Sequence, residues 1–275
     1  MSIFIAEKEI KNPFINGKQV NTAFMNGIKV YSNAPPPTPG LYIAEGERSA
    51  YNRCFIYENN NGQKGNLVDT IARNNWDILA AQNDWNTFAQ YAPEIEIALD
   101  DVCNGWTAGI GVPLNFAKLK TVGNAFLGGC SEFNQEILFP MLTTAGNSLL
   151  SGCLSFNQDI SFPMLTTIGF SFMNGCLSLG INNSNIKISL GKQLLLDNIH
   201  QNWFDSSSAN LNDKINIEFQ GLQTISTLPS KFCRYRGPTL TEHSPVNLYI
   251  KDGSANVDVA HKTWAGHIFG NITLI

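Results

Sequence analysis

Apolar and polar residues alternate in several short stretches of the chain, which is the period of a strand with one buried face. Three of these stretches end in phenylalanine, at Leu114-Asn115-Phe116, Ile137-Leu138-Phe139 and Ile160-Ser161-Phe162. Similar alternation ends at Leu99, Leu190, Phe219 and Ile250. The pattern predicts seven strands, with last apolar residues at 99, 116, 139, 162, 190, 219 and 250, in one parallel ladder about 4.8 Å apart.

A 23-residue repeat contains the three clearest strands. The unit that starts at Phe116 returns as Phe-Pro-Met-Leu-Thr-Thr-x-Gly at Phe139 and Phe162, and a weaker fourth copy follows Phe219. Stacked repeats align equivalent residues into columns that bury one another. We predict two core columns, Leu119/Leu142/Leu165/Leu222 and Cys130/Cys153/Cys176/Cys233.

The repeat unit also contains a Gly-Cys pair and a Phe-Asn-Gln-(Asp/Glu)-Ile segment, found at 133–137 and 156–160. This unit resembles the BspA-type leucine-rich repeats of bacterial and phage surface proteins, closely over 116–184 and loosely over 95–250. The resemblance implies an adhesive or recognition module built as a leucine-rich-repeat-like solenoid. The repeat consensus is scaffold and identifies no binding residue.

A second, smaller duplication lies near the N-terminus, at 14–20 and 24–30. Each copy has Asn-Gly between apolar residues, which strongly favours a type I′ β-hairpin. Because an element this short cannot form a hydrophobic core of its own, we expect it to dock on another protein or to form a homo-oligomer. It resembles segments that attach tailed-phage tail fibres and other virion proteins to the particle. That resemblance assigns virion attachment to Phe14, Asn16, Gly17, Phe24, Asn26 and Gly27.

These patterns divide the chain into five segments and predict a mainly β fold with short helices. A β-hairpin attachment element at 1–32 precedes a proline-rich linker at 33–40, which favours an extended spacer. We assign 41–94 to a helical N-terminal cap, 95–250 to the solenoid with its parallel β ladder, and 251–275 to a C-terminal cap. Within 41–94 we predict one or two short helices, because apolar residues recur at roughly helical spacing at Leu67, Ile71, Trp76, Leu79, Trp85 and Phe88.

Composition argues against two classes of partner. Hydrophobic residues make up 43% of the chain and charged residues 15%, with a net charge of -4. An acidic chain without a Lys/Arg cluster is not expected to bind nucleic acid. No stretch approaches the roughly 18 apolar residues of a membrane span, and Met1 is not followed by a secretory signal pattern. We therefore expect that the chain does not insert into a membrane and that it folds in a cytoplasm. In that compartment the six cysteines would be small buried hydrophobes.

We find no sequence pattern for catalysis, a cofactor or a metal. Phosphate-binding, dinucleotide-binding and hydrolase motifs are absent, the four histidines are isolated, and the cysteines lack zinc-site spacing. One enzymatic alternative is a glycan depolymerase of the tail-spike kind. It would use two of the outward carboxylates Glu96, Glu136, Asp159 and Glu218, which need a separation of about 5 to 9.5 Å.

The combined expectation is a tailed-bacteriophage virion protein, assembled in the host cytoplasm, that acts in host attachment as a tail-fibre or receptor-binding component. Other virion proteins would bind the N-terminal element, and a host surface glycan or protein would bind the solenoid. Alternatives are a capsid-decorating or head-fibre protein, a bacterial surface adhesin and the depolymerase. The predicted ligand face is the outward side of the ladder: Glu96, Asn115, Glu136, Asp159, Ser161, Lys187, Ser189, Asn216, Glu218, Asn247 and Tyr249.

Overall fold

The structure is a computed structural model of the chain. It describes the backbone of the strands between residues 3 and 32, and then residues 40–47, 53–73, 75, 77–108, 111–180, 185–196, 202–204, 214–228, 232–233 and 243–275. Side chains are described from residue 40 onwards within these ranges, except at 243–245.

The described part of the chain is mainly β, with parallel and mixed sheets. Six short strands come first: β1 (Ile3–Ile5), β2 (Lys8–Ile10), β3 (Phe14–Ile15), β4 (Lys18–Gln19), β5 (Thr22–Met25) and β6 (Ile28–Ser32). The next group is β7 (Tyr42–Gly46), β8 (Arg53–Asn60), β9 (Gln63–Ala72), helix α1 (Ile78–Tyr91), a 3-10 turn (Ala92–Glu94) and β10 (Ile95–Ala98). The repeats contain β11 (Leu114–Asn115), β12 (Thr121–Val122), β13 (Ile137–Leu138), β14 (Thr144–Ala145), β15 (Ile160–Phe162) and β16 (Thr167–Ile168). The last group is β17 (Ile186–Leu190), β18 (Ile215–Phe219), β19 (His243–Ile250), β20 (Val257–Asp258), β21 (Thr263–Trp264) and β22 (His267–Leu274).

Two rows of parallel strands run through the repeats. The first row has the order β16-β14-β12-β10-β7 and continues into the antiparallel strands β8 and β9. The second row consists of two separate sheets, the pair β11-β13 and the sheet β15-β17-β18-β19-β22, which ends in the antiparallel strands β21 and β20. The prediction of one unbroken ladder is therefore wrong between β13 and β15, which are not paired in the described ranges. Each 23-residue unit therefore contributes one short strand to each row.

The predicted pairing of the later strands is confirmed. Phe162 lies opposite Leu190, Leu190 opposite Phe219, and Phe219 opposite Ile250, all in parallel register. The prediction for the first strand is wrong, because β10 pairs with β7 and β12 in the other row. Alternation of apolar and polar residues shows that a strand has a buried face but does not show which sheet it joins.

The 23-residue repeat is visible as ring stacking. Phe139 lies between Phe116 and Phe162, with ring centroids 5.5 and 5.3 Å apart and interplanar angles of 5° and 15°. A second pair, Phe133 and Phe156, stacks at 6.1 Å with an angle of 4°. Stacked aromatic rings bury large apolar areas and favour offset arrangements at this distance. The rings therefore fix the register of successive units.

Each unit turns through two residues with left-handed backbone. In the central unit Ser148 and Leu150 have φ of 62° and 55°, and positions 23 residues to either side repeat the pair. Non-glycine residues adopt this conformation only at a cost of about 1–3 kcal/mol, which the surrounding structure must offset. The Leu150 N–H donates to the Phe126 carbonyl of the preceding unit, and Met173 donates likewise to Leu149. Hydrogen bonds between units therefore hold the strained turns.

The predicted core columns are correct in the three clear copies and wrong in the fourth. Leu119, Leu142 and Leu165 are buried, but Leu222 is 52% exposed. The later units are longer, and this shifts the alignment of the fourth copy relative to the first three. Gln223 is buried beside Leu194, and the Gln223 side-chain amide donates to the Leu194 carbonyl.

The cysteine column also ends after three members. The thiols of Cys130, Cys153 and Cys176 donate to carbonyls of the preceding unit at 2.9, 3.0 and 3.1 Å. The Cys233 N–H instead donates to the Trp203 carbonyl. The Leu150 N–H makes the equivalent hydrogen bond to the Phe126 carbonyl. Cys233 therefore occupies the left-handed position of the turn. All six cysteines are buried and free, which confirms their prediction as small core residues.

The segment predicted as a helical cap is only partly helical. Leu67 and Ile71 lie on the edge strand β9, where the helical spacing was misleading. Helix α1 begins after Asp77, whose carboxylate accepts the N–H groups of Leu79 and Ala80. Trp85 on this helix stacks on Phe133, so the helix covers the first repeat. Trp76 lies outside the described residues.

The C-terminal segment packs on the last repeats. Trp264 is fully buried and contacts Phe219, Phe232 and Phe269 edge-on or tilted. A tight turn at Ala265 and Gly266, both with positive φ, joins β21 to β22. The hairpin thereby covers the aromatic residues at this end of the core.

Both predicted N-terminal hairpins are present as strand pairs. Ile15 lies opposite Lys18, and Met25 lies opposite Ile28, so each connection has two residues. A further pair joins β1 to β2. The turn residues Asn16, Gly17, Asn26 and Gly27 lie outside the described residues, as does most of the proline-rich linker, and side chains are not described at Phe14 and Phe24.

Replacing Phe139 by alanine tests the stacked column. The truncation removes a fully buried ring between two others, so the free energy of unfolding should fall by about 3–5 kcal/mol in urea denaturation. The matched control is Leu138→Ala on the same strand, where the side chain is 45% exposed and the expected loss is below about 1 kcal/mol. Equal losses in the two variants would contradict the stacking.

Candidate functional site

The second row of strands presents a largely polar surface, which we call the outer face. It consists of outward side chains of β11, β13, β15, β17, β18, β19 and β22, together with Glu136 and Asp159 immediately before β13 and β15. One line of register contains Asn216, Asn247 and Asn271, and the neighbouring line contains Glu218, Tyr249 and Thr273. Ile217, Leu248 and Ile272 alternate with them and are buried. The complete set of outward residues is Asn115, Glu136, Leu138, Asp159, Ser161, Lys187, Ser189, Asn216, Glu218, Asn247, Tyr249, Asn271 and Thr273.

The structure brings most of the predicted face together, but it removes Glu96 from the face and leaves Ser189 almost inaccessible. Glu96 lies on β10 in the first row, where it contacts Lys120 at 3.6 Å and accepts a bond from Asn59. Ser189 is on the outer face but only 7% exposed. It lies opposite Glu218 and two residues from Lys187, so longer side chains shield its hydroxymethyl group.

An ion pair crosses the middle of the outer face. The Lys187 ammonium lies 2.5 Å from a Glu218 carboxylate oxygen, and Gln220 donates to the other oxygen at 2.9 Å. Burial raises the pKa of Glu218, but the hydrogen bonds from Lys187 and Gln220 outweigh it and hold that pKa below its usual value. Glu218 is therefore an ionised, neutralised group and not a proton donor near neutral pH.

The asparagine line is a hydrogen-bonded row. Asn216 donates to the carbonyls of Ile186 and Lys214, each at 3.2 Å. Asn247 donates to the Asn216 side-chain oxygen at 3.2 Å, and Asn271 donates to the Thr273 hydroxyl at 3.3 Å. These bonds fix the orientation of the amides, which supply both donors and acceptors.

Two carboxylates of the depolymerase hypothesis, Glu136 and Asp159, remain on the outer face, and Asp159 has a structural role. Asp159 accepts the backbone N–H of Lys187 at 2.8 Å and so connects β15 to β17. Glu136 is exposed on the preceding unit. Glu96 lies in the other sheet row and Glu218 is ion-paired, so neither belongs to this pair.

The last strand of the face was not predicted. The predicted ladder ends at Ile250, whereas β22 continues the parallel pairing and adds Asn271 and Thr273. Apolar residues alternate with polar ones from Phe269 to Leu274 apart from Gly270, and this pattern was available in the sequence. The apolar and β-branched residues from Trp264 to Ile275 instead suggested a closing cap.

Within the described ranges, no group of three or more His, Cys, Asp or Glu side chains could hold a metal ion. The pKa values of Cys103, Cys130, Cys176 and Cys233 are raised well above the usual range, first of all by burial, which disfavours the reactive thiolate. No described helix has the length and apolar character needed to cross a membrane.

A shallow recess lies beside helix α1. Arg73, Asn75 and Trp85 line it, and all three donate to carbonyls in the segment 105–108. These polar groups therefore fasten α1 and the end of β9 to the segment that precedes the first repeat.

Comparisons with known protein families, with characterised proteins and with solved structures find no match. The class of this protein is therefore defined by its own geometry: a mainly β protein with parallel and mixed sheets, two of which carry the outer face.

The lowered pKa of Glu218 predicts a pH-dependent contribution to stability. A carboxyl group whose pKa is depressed by folding stabilises the protein above its unfolded pKa, and this contribution is lost as the pH falls through the folded value. Glu218→Gln should therefore lower the free energy of unfolding by up to about 1 kcal/mol at pH 7, because the pair is partly exposed.

The difference between wild type and Glu218→Gln should disappear when urea denaturation is repeated well below the ordinary carboxyl pKa of about 4.3. The exposed Glu132, replaced by Gln, serves as the control and should show no such difference. A Glu218→Gln effect that persists unchanged in acid would show that the ion pair is not its source.

Proposed function

We propose that this chain is a host-recognition and attachment module of a virion, such as a tail-fibre or receptor-binding component of a tailed phage. In this proposal the repeats form a leucine-rich-repeat-like solenoid, and the outer face is the part that meets the host surface. The N-terminal hairpins attach the module to the particle.

The observation that carries the proposal is the outer face itself. Seven strands place their polar residues on one side while the residues between them are buried, so the face is long and rigid. Most of its groups are neutral hydrogen-bonding side chains, and the Lys187–Glu218 pair neutralises two of the charges. A preorganised polar surface of this kind suits recognition, because little side-chain freedom is lost on binding.

The hairpins support the attachment role. Three consecutive two-strand pairs, β1–β2, β3–β4 and β5–β6, precede the proline-rich segment. Isolated two-stranded hairpins are marginally stable in water, so a partner that packs on them would stabilise them. A virion protein is the partner that the resemblance of this segment suggests.

Binding of the fluorescently labelled chain to candidate host cells tests the recognition role. We expect saturable binding in flow cytometry and its loss when surface glycans are removed enzymatically. The double variant Ser161→Arg/Asn247→Arg places bulky charges on the outer face and should weaken binding at least about tenfold. Its matched control, Thr144→Arg/Thr167→Arg, places the same charges on the first row of strands and should bind like wild type.

Circular dichroism should first show that both double variants retain the wild-type fold. Equal weakening in both would contradict the outer face as the binding surface. Absence of saturable binding to any host would contradict host recognition and favour a capsid-decorating role.

A further inference from the structure

The last three strands of the outer face carry a compact array of six side chains. Parallel pairing puts Asn216, Asn247 and Asn271 side by side, with Glu218, Tyr249 and Thr273 in the next line. Strands lie about 4.8 Å apart and alternate residues about 6.6 Å apart along a strand, so the array covers about 10 by 7 Å. We call these six residues the amide patch. Its dimensions match one or two monosaccharide rings.

The amide patch differs in charge from the earlier part of the outer face. Glu136 and Asp159 are exposed carboxylates on the first repeats, and Leu138 between them is 45% exposed. The one formal charge of the patch, on Glu218, is neutralised by Lys187 at 2.5 Å. The patch therefore has no net field to attract an anion or a cation, and its ligand is expected to be uncharged.

Hydrogen-bonding capacity is dense and fixed in the amide patch. The bonds of Asn216 to backbone carbonyls and of Asn247 to Asn216 orient the amides before any ligand binds. Asn271 is exposed, and its side-chain amide donates to the Thr273 hydroxyl at 3.3 Å. Side-chain amides and hydroxyls both donate and accept, so they match the vicinal hydroxyl groups of a sugar.

Tyr249 supplies the apolar contact surface of the amide patch. It lies between Glu218 and Thr273 in its register line and is half-buried, so part of the ring faces solvent. An aromatic ring beside polar groups combines apolar contact area with a hydroxyl at its edge. The C–H face of a pyranose ring needs such a surface next to donors for its hydroxyl groups.

We propose that the amide patch is the ligand site of the outer face and that it takes an uncharged, hydroxyl-rich glycan. The inference rests on the recognition function proposed above and narrows it to three strands and one ligand class. Asn247 and Asn271 bind the hydroxyl groups, Asn216 orients Asn247, Tyr249 contacts the sugar ring, and the earlier part of the face does not contribute directly.

Competition on cells tests the ligand class. Surface glycans are released from the host cells that bind the chain and are separated by anion exchange into a neutral and an anionic fraction. The neutral fraction should compete with the cells for the labelled chain, and the anionic fraction should not. Competition by the anionic fraction alone, or by neither fraction, would overturn the proposal.

Alanine variants test the location. Tyr249→Ala and Asn271→Ala should each weaken binding of the neutral fraction by about tenfold or more, measured by calorimetry. Asn115→Ala and Ser161→Ala, on the same face outside the patch, should leave the affinity within about twofold. All four side chains are outward, and the wild-type denaturation midpoint serves as the check on folding.

The variants also separate this inference from the wider proposal. If Ser161→Arg abolishes cell binding while Tyr249→Ala and Asn271→Ala retain it, the host-recognition role stands and the amide patch is excluded as the site. If the wild-type chain binds no host surface, the recognition role fails and the glycan proposal fails with it.

Discussion

Stacking of identical side chains at a fixed chain interval is the interaction on which the rest of this structure depends. Phe116, Phe139 and Phe162 lie face to face at 5.3–5.5 Å, which allows one unit every 23 residues and no slip in register. The same register leaves little room at Gly146, where a β-carbon would lie 2.7 Å from the backbone of Gly123. The left-handed turn residues are tolerated because hydrogen bonds between units hold them in place.

The outer face is a consequence of that register. Because inward positions are occupied by stacked apolar residues, every second residue of the second strand row must point to solvent, and equivalent residues form lines. The units lengthen after Phe162, yet Leu190, Phe219 and Ile250 return to the same register. Strands β17, β18, β19 and β22 of this row are also longer than those of the first repeats. The broadest part of the face is therefore at its C-terminal end, where the amide patch lies.

Much of this arrangement could be predicted from the sequence, for reasons that also explain the errors. The hairpins and the pairing of Phe162 with Leu190 follow from local turn chemistry and two-residue periodicity. Glu96 was misplaced because periodicity does not distinguish between two sheets. Leu222 and Cys233 were misaligned because the insertions change the offset that the first three copies suggest. Asn271 and Thr273 were missed because their strand joins the face from a segment without the repeat motif.

The measurement that most directly tests the account is an experimental structure of the full chain with the neutral glycan fraction released from its host cells. We expect sugar rings over Tyr249, with their hydroxyl groups at the side chains of Asn247 and Asn271. We also expect parallel strands in the register that stacks Phe116, Phe139 and Phe162. Sugar bound on the first strand row, or a different strand register, would contradict it.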